Sequence, residues 1–234
     1  MSKDRAWITE SANFLRSALS WTPLRRYAEL FDTDRVASDH SLGDCLQGGL
    51  EDFTADLARW RLEFEEPKDL FERLPLAPQL EATYFYRVSR ACFLKEVEQA
   101  PLVIAALSRL LTGTEIYFSS EIGPGLKLIH GLGCVIGTRC RIGRQFTVYQ
   151  GVTIGDKLGR ETGKRPVIGD RVIVSAGAQV LGGVTIGSET VIGANSVVLE
   201  SVPGRCVVVG APARIKVANL SDEAFGEYWA GLNG

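Results

Sequence analysis

The sequence predicts an α+β chain, an N-terminal α-helical domain followed by a C-terminal left-handed parallel β-helix of hexapeptide repeats. Two observations predict it. Up to about residue 112, apolar side chains recur at spacings of three and four, the period of one helix face. From Ile116 onward the period changes to six. Ile136, Ile142, Val148 and Ile154, and after a gap Ile168, Val174, Val180, Ile186, Ile192 and Val198, keep strict six-residue spacing. Neither a helix nor an alternating strand has that period, whereas stacked hexapeptide coils do.

In the helical half, Leu50, Phe53, Leu57, Trp60 and Phe64 fall on one face of a single predicted helix. "DTD" (32–34) and "LPLAP" (74–78) read as breaks. The stretch 80–99 has no internal Gly or Pro and reads as one long helix. The next, 101–111, opens with Pro and ends before Thr112-Gly113, a start and a stop. In the repeat half, each hexapeptide makes a short strand and a turn, and three of them, about 18 residues, close one triangular coil. Stacked coils bury a column of Ile and Val. Small or turn-prone residues fill the corners, where unusual backbone angles are expected. The expected division is residues 1–112 helical, 113–215 β-helix and 216–234 a C-terminal tail.

Two places break the beat. Ile154 and Ile168 are 14 apart, separated by the polar, Gly-rich "GDKLGRETGKRP", which reads as a loop thrown out of the coil. Leu128 and Ile136 are 8 apart, and between them lies His130, one of two histidines in the chain. A lone histidine is usually structural. One that coincides with a break in a rigid repeat is a candidate functional group.

Composition narrows the classes. The 234 residues are 45% hydrophobic and 23% charged with a net charge of −2, so no basic footprint for nucleic acid or an anionic membrane exists. No apolar run approaches a membrane span, and the start "MSKDRAWITES" lacks the apolar core of a signal peptide. Five scattered cysteines without a CxxC pair argue against a disulfide framework and for a cytoplasmic chain with reduced thiols. Cys134 and Cys140, one repeat apart, read as small core side chains rather than as a metal pair.

Over roughly residues 80–215 the sequence resembles the serine acetyltransferase family of hexapeptide acyltransferases. The resemblance is carried by "GTEIYFSSEIGPGLKLIHGLG", "FTVYQGVTIG", "RPVIGDRVIVSAGAQVLGGVTIG", "IGANSVV", "VVVGAPARI" and "YRV" at 86–88. It implies an acetyl-CoA-dependent O-acetyltransferase without a metal, acting in cysteine biosynthesis. It also implies β-helices in trimers, or in dimers of trimers joined by the helical halves, with sites in the clefts between subunits. His130 matches the family's catalytic base, and Glu115 a carboxylate, usually Asp, that orients it. By the same resemblance Gly155 and Asp156 lie near the oxyanion donor, and Ala176 and Ala194 leave room for the CoA pantetheine arm. Lys164 and Arg165 meet an anionic group, a CoA phosphate or a substrate carboxylate, and Arg214 faces the CoA nucleotide. The chemistry is coherent on its own terms. A hydroxyl needs a base at its proton as it attacks a thioester; neutral imidazole suits pH 7, and a carboxylate on its other nitrogen fixes the tautomer.

Besides Glu115, the sequence departs from the family at three points. Ile129 stands where the family has an Asp that, with a second acidic residue from the helical half, holds the amino group of serine; Glu66, before Pro67, is the nearest candidate for the second. Lys164-Arg165 replaces the usual Arg-His. The chain ends "YWAGLNG" rather than in the Ile through which family members dock into cysteine synthase, so that complex is not expected. The acceptor is therefore serine or a related small hydroxyl compound, with a sugar or glycan precursor as the alternative that Ile129 favours. A γ-type carbonic anhydrase needs three zinc histidines, and the repeat half has only His130. A non-catalytic scaffold would have no use for His130, Glu115 and the loop together.

Overall fold

The computed structural model describes residues 3–157 and 163–230. Six helices come first: α1 (Lys3–Ser20), α2 (Thr33–Ser38), α3 (His40–Leu57), α4 (Pro67–Arg73), α5 (Pro78–Leu94) and α6 (Ala100–Thr112). Local chemistry sets their ends. The Asp32 and Asp39 carboxylates accept N–H bonds from the first turns of α2 and α3. Proline opens α4, α5 and α6, and Gly113 closes α6 at φ 66. Two helices are shorter than the apolar spacing predicts. After α3 the chain tightens into a 3₁₀ turn at Ala58–Trp60 and Arg61 turns to φ 55, so Phe64 lies outside the helix. After α5, Glu96 and Gln99 adopt positive φ and end it before residue 99. α3 and α5 pack closely enough that a Cβ on Gly49 would lie 2.7 Å from Val88 Cα. Their shared core holds Phe53 and Tyr84 edge to face, with ring centroids 5.7 Å apart.

The strands follow in threes. The first coil is β1 (Glu115–Ile116), β2 (Glu121–Ile122) and β3 (Lys127–Ile129); the second is β4 (Val135–Ile136), β5 (Arg141–Ile142) and β6 (Thr147–Tyr149). Then come β7 (Thr153–Gly155), β8 (Val167–Ile168) and β9 (Ile173–Val174), and β10 (Gln179–Leu181), β11 (Thr185–Ile186) and β12 (Val191–Ile192). β13 (Val197–Val198) and β14 (Val207–Val209) complete the stack. They form three parallel sheets, β1-β4-β7-β10-β13, β2-β5-β8-β11 and β3-β6-β9-β12-β14, the faces of a left-handed β-helix. All ten six-spaced aliphatic residues are buried in its core.

The ladder registers measure both insertions. Strand partners in regular coils are 18 residues apart, as Val135 and Thr153 are. Across the His130 corner they are 20 apart, Lys127 pairing with Thr147, and across the polar loop 26 apart, Arg141 pairing with Val167. The unusual backbone angles expected at the corners are present, at glycines such as Gly133, Gly151 and Gly177 and at other residues. Positive φ falls largely on corner residues such as Arg139, Gln145, Arg171, Glu189, Asn195 and Arg205. Several of the Ile-Gly glycines permit coils to stack: a Cβ on Gly143 would lie 2.7 Å from the carbonyl carbon of Gly169.

After the last coil, β15 (Arg214–Val217) pairs antiparallel with β14, and α7 (Asp222–Ala230) packs over the outer face of the β3–β14 sheet. Leu220 and Phe225 bury Ile173, Val191 and Val207 there, with Ile129, Tyr149 and Trp229 half-buried at the margin. Arg205 anchors the start of α7, 2.7 Å from both Glu189 and Asp222, and the Arg59 guanidinium lies 4.5 Å from the Trp229 ring centroid at its far end. Among the described residues no helix is long and apolar enough to cross a membrane.

Candidate functional site

The His130 break is the corner between β3 and β4. Each residue of β3 leading to it is held. Lys127 is buried under the helical half, its Nζ donating to the Arg59 carbonyl at 3.2 Å over the Trp60 ring. Leu128 lies in the β-helix core and Ile129 against the cluster under α7. His130 then turns to φ 63, followed by Gly131 at φ 77 and Gly133 at φ 69. Thr114 Oγ1 donates to the Gly131 carbonyl at 3.0 Å, and Gly133 N–H donates to the Gly113 carbonyl at 2.9 Å. Positive φ is the ordinary conformation of corner residues in this β-helix, so what sets His130 apart is the break in the repeat that it occupies. The imidazole is exposed, and no hydrogen bond engages it among the described residues.

Glu115 flanks the same corner, its N–H donating to the Cys134 carbonyl at 2.9 Å. Its carboxylate is 3.2 Å from Arg109 Nη1, and no bond joins it to His130 among the described residues. Cys134 is fully buried in the core, and burial pushes its thiol up to about 12, which makes it no nucleophile.

The corners of successive coils stack above His130 on one edge of the prism. Gly151 N–H donates to the Leu132 carbonyl at 3.0 Å, Gly177 N–H to Gln150 and Asn195 N–H to Ala176, both at 2.9 Å. Ala176 and Ala194 therefore follow His130 in order along this edge. Arg214, exposed at the start of β15, ends the line, 3.8 Å from Glu200. Gln150 stands directly after Tyr149, the register partner of Ile129, and the Gly151 N–H bond stacks it on Leu132, so it lies one coil along the edge from the His130 corner. No pattern in the sequence singles it out.

Gly155, Asp156, Lys164 and Arg165 occupy a different corner, between β7 and β8. Arg165 Nη1 is 2.9 Å from the Asp156 carboxylate, and Arg165 Nε donates to the Thr138 carbonyl at 3.1 Å. The Lys164 stem lies over Gly183, where an added Cβ would come within 2.6 Å of it. Residues 158–162 of the polar loop, and residues 231–234 on which the expectation about cysteine synthase rests, lie outside the described residues. Within one chain, then, His130, Glu115, Ala176, Ala194 and Arg214 share an edge, and the loop residues lie on another. Glu66 is on neither; it is exposed at the start of α4.

A family model for bacterial transferase hexapeptide (six repeats) matches residues 165–200. The serine acetyltransferase of Staphylococcus xylosus is 46% identical over 135 residues, 57% of this chain and 62% of that protein. The chain thus spans somewhat under two thirds of the length of that curated relative. Soybean serine acetyltransferase complexed with serine superposes with a TM-score of 0.69 at 28% identity, covering 92% of this chain and 84% of that one. A serine acetyltransferase in complex with CoA gives 0.64 at 27%, covering 87% and 82%. The chain carries hexapeptide repeats, and the proteins it is similar to in sequence and in fold are serine acetyltransferases.

Proposed function

We propose that this protein is an acetyl-CoA-dependent O-acetyltransferase of the serine acetyltransferase type, with His130 as general base. The observation that carries this reading is the corner itself: an exposed, unengaged imidazole held at φ 63 at the foot of an edge lined by Ala176 and Ala194. Acetyl-CoA lies along that edge, its thioester at His130 and its nucleotide toward Arg214. His130 takes the proton from the acceptor hydroxyl as the oxygen attacks the thioester carbon. The tetrahedral intermediate collapses, the carbon–sulfur bond breaks, and the imidazolium returns its proton to the departing thiolate. Glu115, turned from Arg109, orients the imidazole.

The site is completed by a second copy of the chain. The oxyanion donors near Gly155-Asp156 and the cations Lys164 and Arg165 lie on a different edge from His130, so a neighbour's loop supplies them across an intersubunit cleft. Leu132, 69% exposed two residues from His130, is an apolar surface for such a neighbour to cover. In this reading residues 1–112 are the helical domain, 113–215 the catalytic β-helix in a homotrimer or dimer of trimers, and 216–234 the tail that carries α7. The protein works in the cytoplasm.

Serine is the acceptor supported by the relatives. A sugar hydroxyl is the second reading, favoured by Ile129, which packs against an apolar cluster and offers no charge to an ammonium. Thiol release from acetyl-CoA, measured with L-serine, other amino acids and sugars, tests both. Turnover with L-serine that His130→Ala reduces by at least ~100-fold supports the first. His130-dependent release with a sugar alone supports the second, and release unaffected by His130→Ala removes the base.

A further inference from the structure

Gln150 carries a feature that the mechanism above does not use. Its Oε1 is buried without a hydrogen-bond partner, the only such side-chain atom among the described residues. A buried carboxamide oxygen left unpaired is costly, and native proteins rarely keep one unless something else fills it. Gln150 also has a defined place. It lies one coil along the edge from the His130 corner, toward Ala176, with its own backbone carbonyl accepting from Gly177 N–H.

We propose that Gln150 is a binding residue for the thioester substrate, its Oε1 accepting a hydrogen bond from the amide N–H nearest the sulfur. This rests on the reading of the edge as an acetyl-CoA site. With the thioester at His130, the pantetheine arm runs past Gln150 toward Ala176. The first N–H lies three bonds beyond the sulfur, a length comparable with the spacing of adjacent strands, about 4.8 Å. That N–H is the first donor the arm offers, and it comes level with the coil that carries the unpaired oxygen. The thioester's own atoms and the methylenes between offer no donor, so the acceptor at Gln150 matches the arm at one point only.

The first test is CoA binding to the full chain by calorimetry, without acceptor. Gln150→Leu, close in shape but unable to accept, weakens binding by ~5–20-fold, the effect of one buried hydrogen bond. Gln150→Glu, which keeps an acceptor there, stays within about two-fold. Unchanged affinity in Gln150→Leu overturns the proposal, as does an altered oligomer mass with unchanged affinity, which would give Gln150 to the subunit contact.

The second test compares kcat/KM for two small thioesters. S-acetyl-N-acetylcysteamine keeps the amide N–H, and S-butyl thioacetate lacks it. Gln150→Leu loses ~5–20-fold with the first and less than about two-fold with the second. Equal losses overturn the proposal. Failure of the underlying reading looks different: wild-type protein then neither binds CoA nor releases thiol in a His130-dependent way.

Discussion

Arg87 and Asp56 form a bidentate ion pair at the joint between the two halves of the chain, with Nε to Oδ2 at 2.7 Å and Nη2 to Oδ1 at 2.9 Å. Both side chains are buried, and both reach into the first coil. Arg87 donates to the Ile122 and Gly123 carbonyls at 2.7 and 2.8 Å, and Asp56 accepts from the N–H groups of Gly125 and Leu126 at 3.0 and 2.7 Å. Tyr86 adds a bond from its hydroxyl to the Ser120 carbonyl at 2.9 Å. Helices α3 and α5 thus hold residues 120–126, which lead directly into β3 and His130.

Asp56→Ala strands a buried guanidinium and two N–H groups. It is expected to destabilise the fold by ~3–5 kcal/mol, read from chemical denaturation. Arg87→Lys is expected to lose most of the same stability, since an ammonium cannot replace the fork that serves a carboxylate and two carbonyls together. A loss under about 1 kcal/mol for Asp56→Ala would mean that the joint is not held by this pair.

Glu115 separates stability from activity. Its pair with Arg109 is solvent-exposed, so Glu115→Gln is expected to change stability by less than ~1 kcal/mol. If the carboxylate orients His130, the same substitution lowers kcat by at least ~10-fold with little change in KM for acetyl-CoA. Unchanged kcat would confine Glu115 to its surface pair with Arg109.

Glu81, in the first turn of α5, is 5% exposed, and burial raises its carboxyl to about 7. A carboxyl raised in the folded state favours folding at low pH and loses that contribution as it ionises. Relative to the unfolded chain, stability is complete below pH 4.5 and falls as pH rises through about 7. Glu81→Gln cannot ionise. It is therefore expected to match the wild type near pH 4.5 and to exceed it near pH 8, by up to ~3 kcal/mol. Denaturation curves at the two pH values decide this; a constant difference would show that Glu81 does not titrate on folding.

Much of this was legible from spacing alone, because a hexapeptide coil constrains every sixth side chain in the same way. The ten beat positions and both insertions, at His130 and after Ile154, could be counted from the sequence. Residues that answer to distant neighbours could not. Asp56 lies on a helix whose apolar pattern says nothing of a buried charge, and its partners Gly125 and Leu126 are 69 and 70 residues away. The last segment reads only as a tail without the six-residue beat, yet Leu220 and Phe225 find an apolar sheet face that the coils leave uncovered. Ile129 reads as a missing charge until that cluster explains its size. Periodicity reveals that small residues recur, as at Gly133, Gly151 and Gly177, where φ is positive, and at Gly143, where the coil above leaves no room for a Cβ, but it does not separate the two causes.

The separation of His130 from the loop makes a prediction that needs both corners. If one copy supplies the imidazole and its neighbour supplies Lys164 and Arg165, two inactive chains can complement each other. His130→Ala lacks the base; a Lys164→Ala, Arg165→Ala double variant lacks the cations. Mixed in one oligomer at equal amounts, random assembly leaves roughly a quarter of the clefts with an intact His130 facing an intact loop. Co-refolding the two variants is then expected to restore up to that fraction of wild-type thiol release, while either alone stays inactive. A site contained within one chain gives no recovery at any mixing ratio, because every chain in the mixture is defective. Recovery that scales with the product of the two mole fractions would assign the loop to the neighbour, and with it explain why the described chain leaves His130 exposed and unengaged.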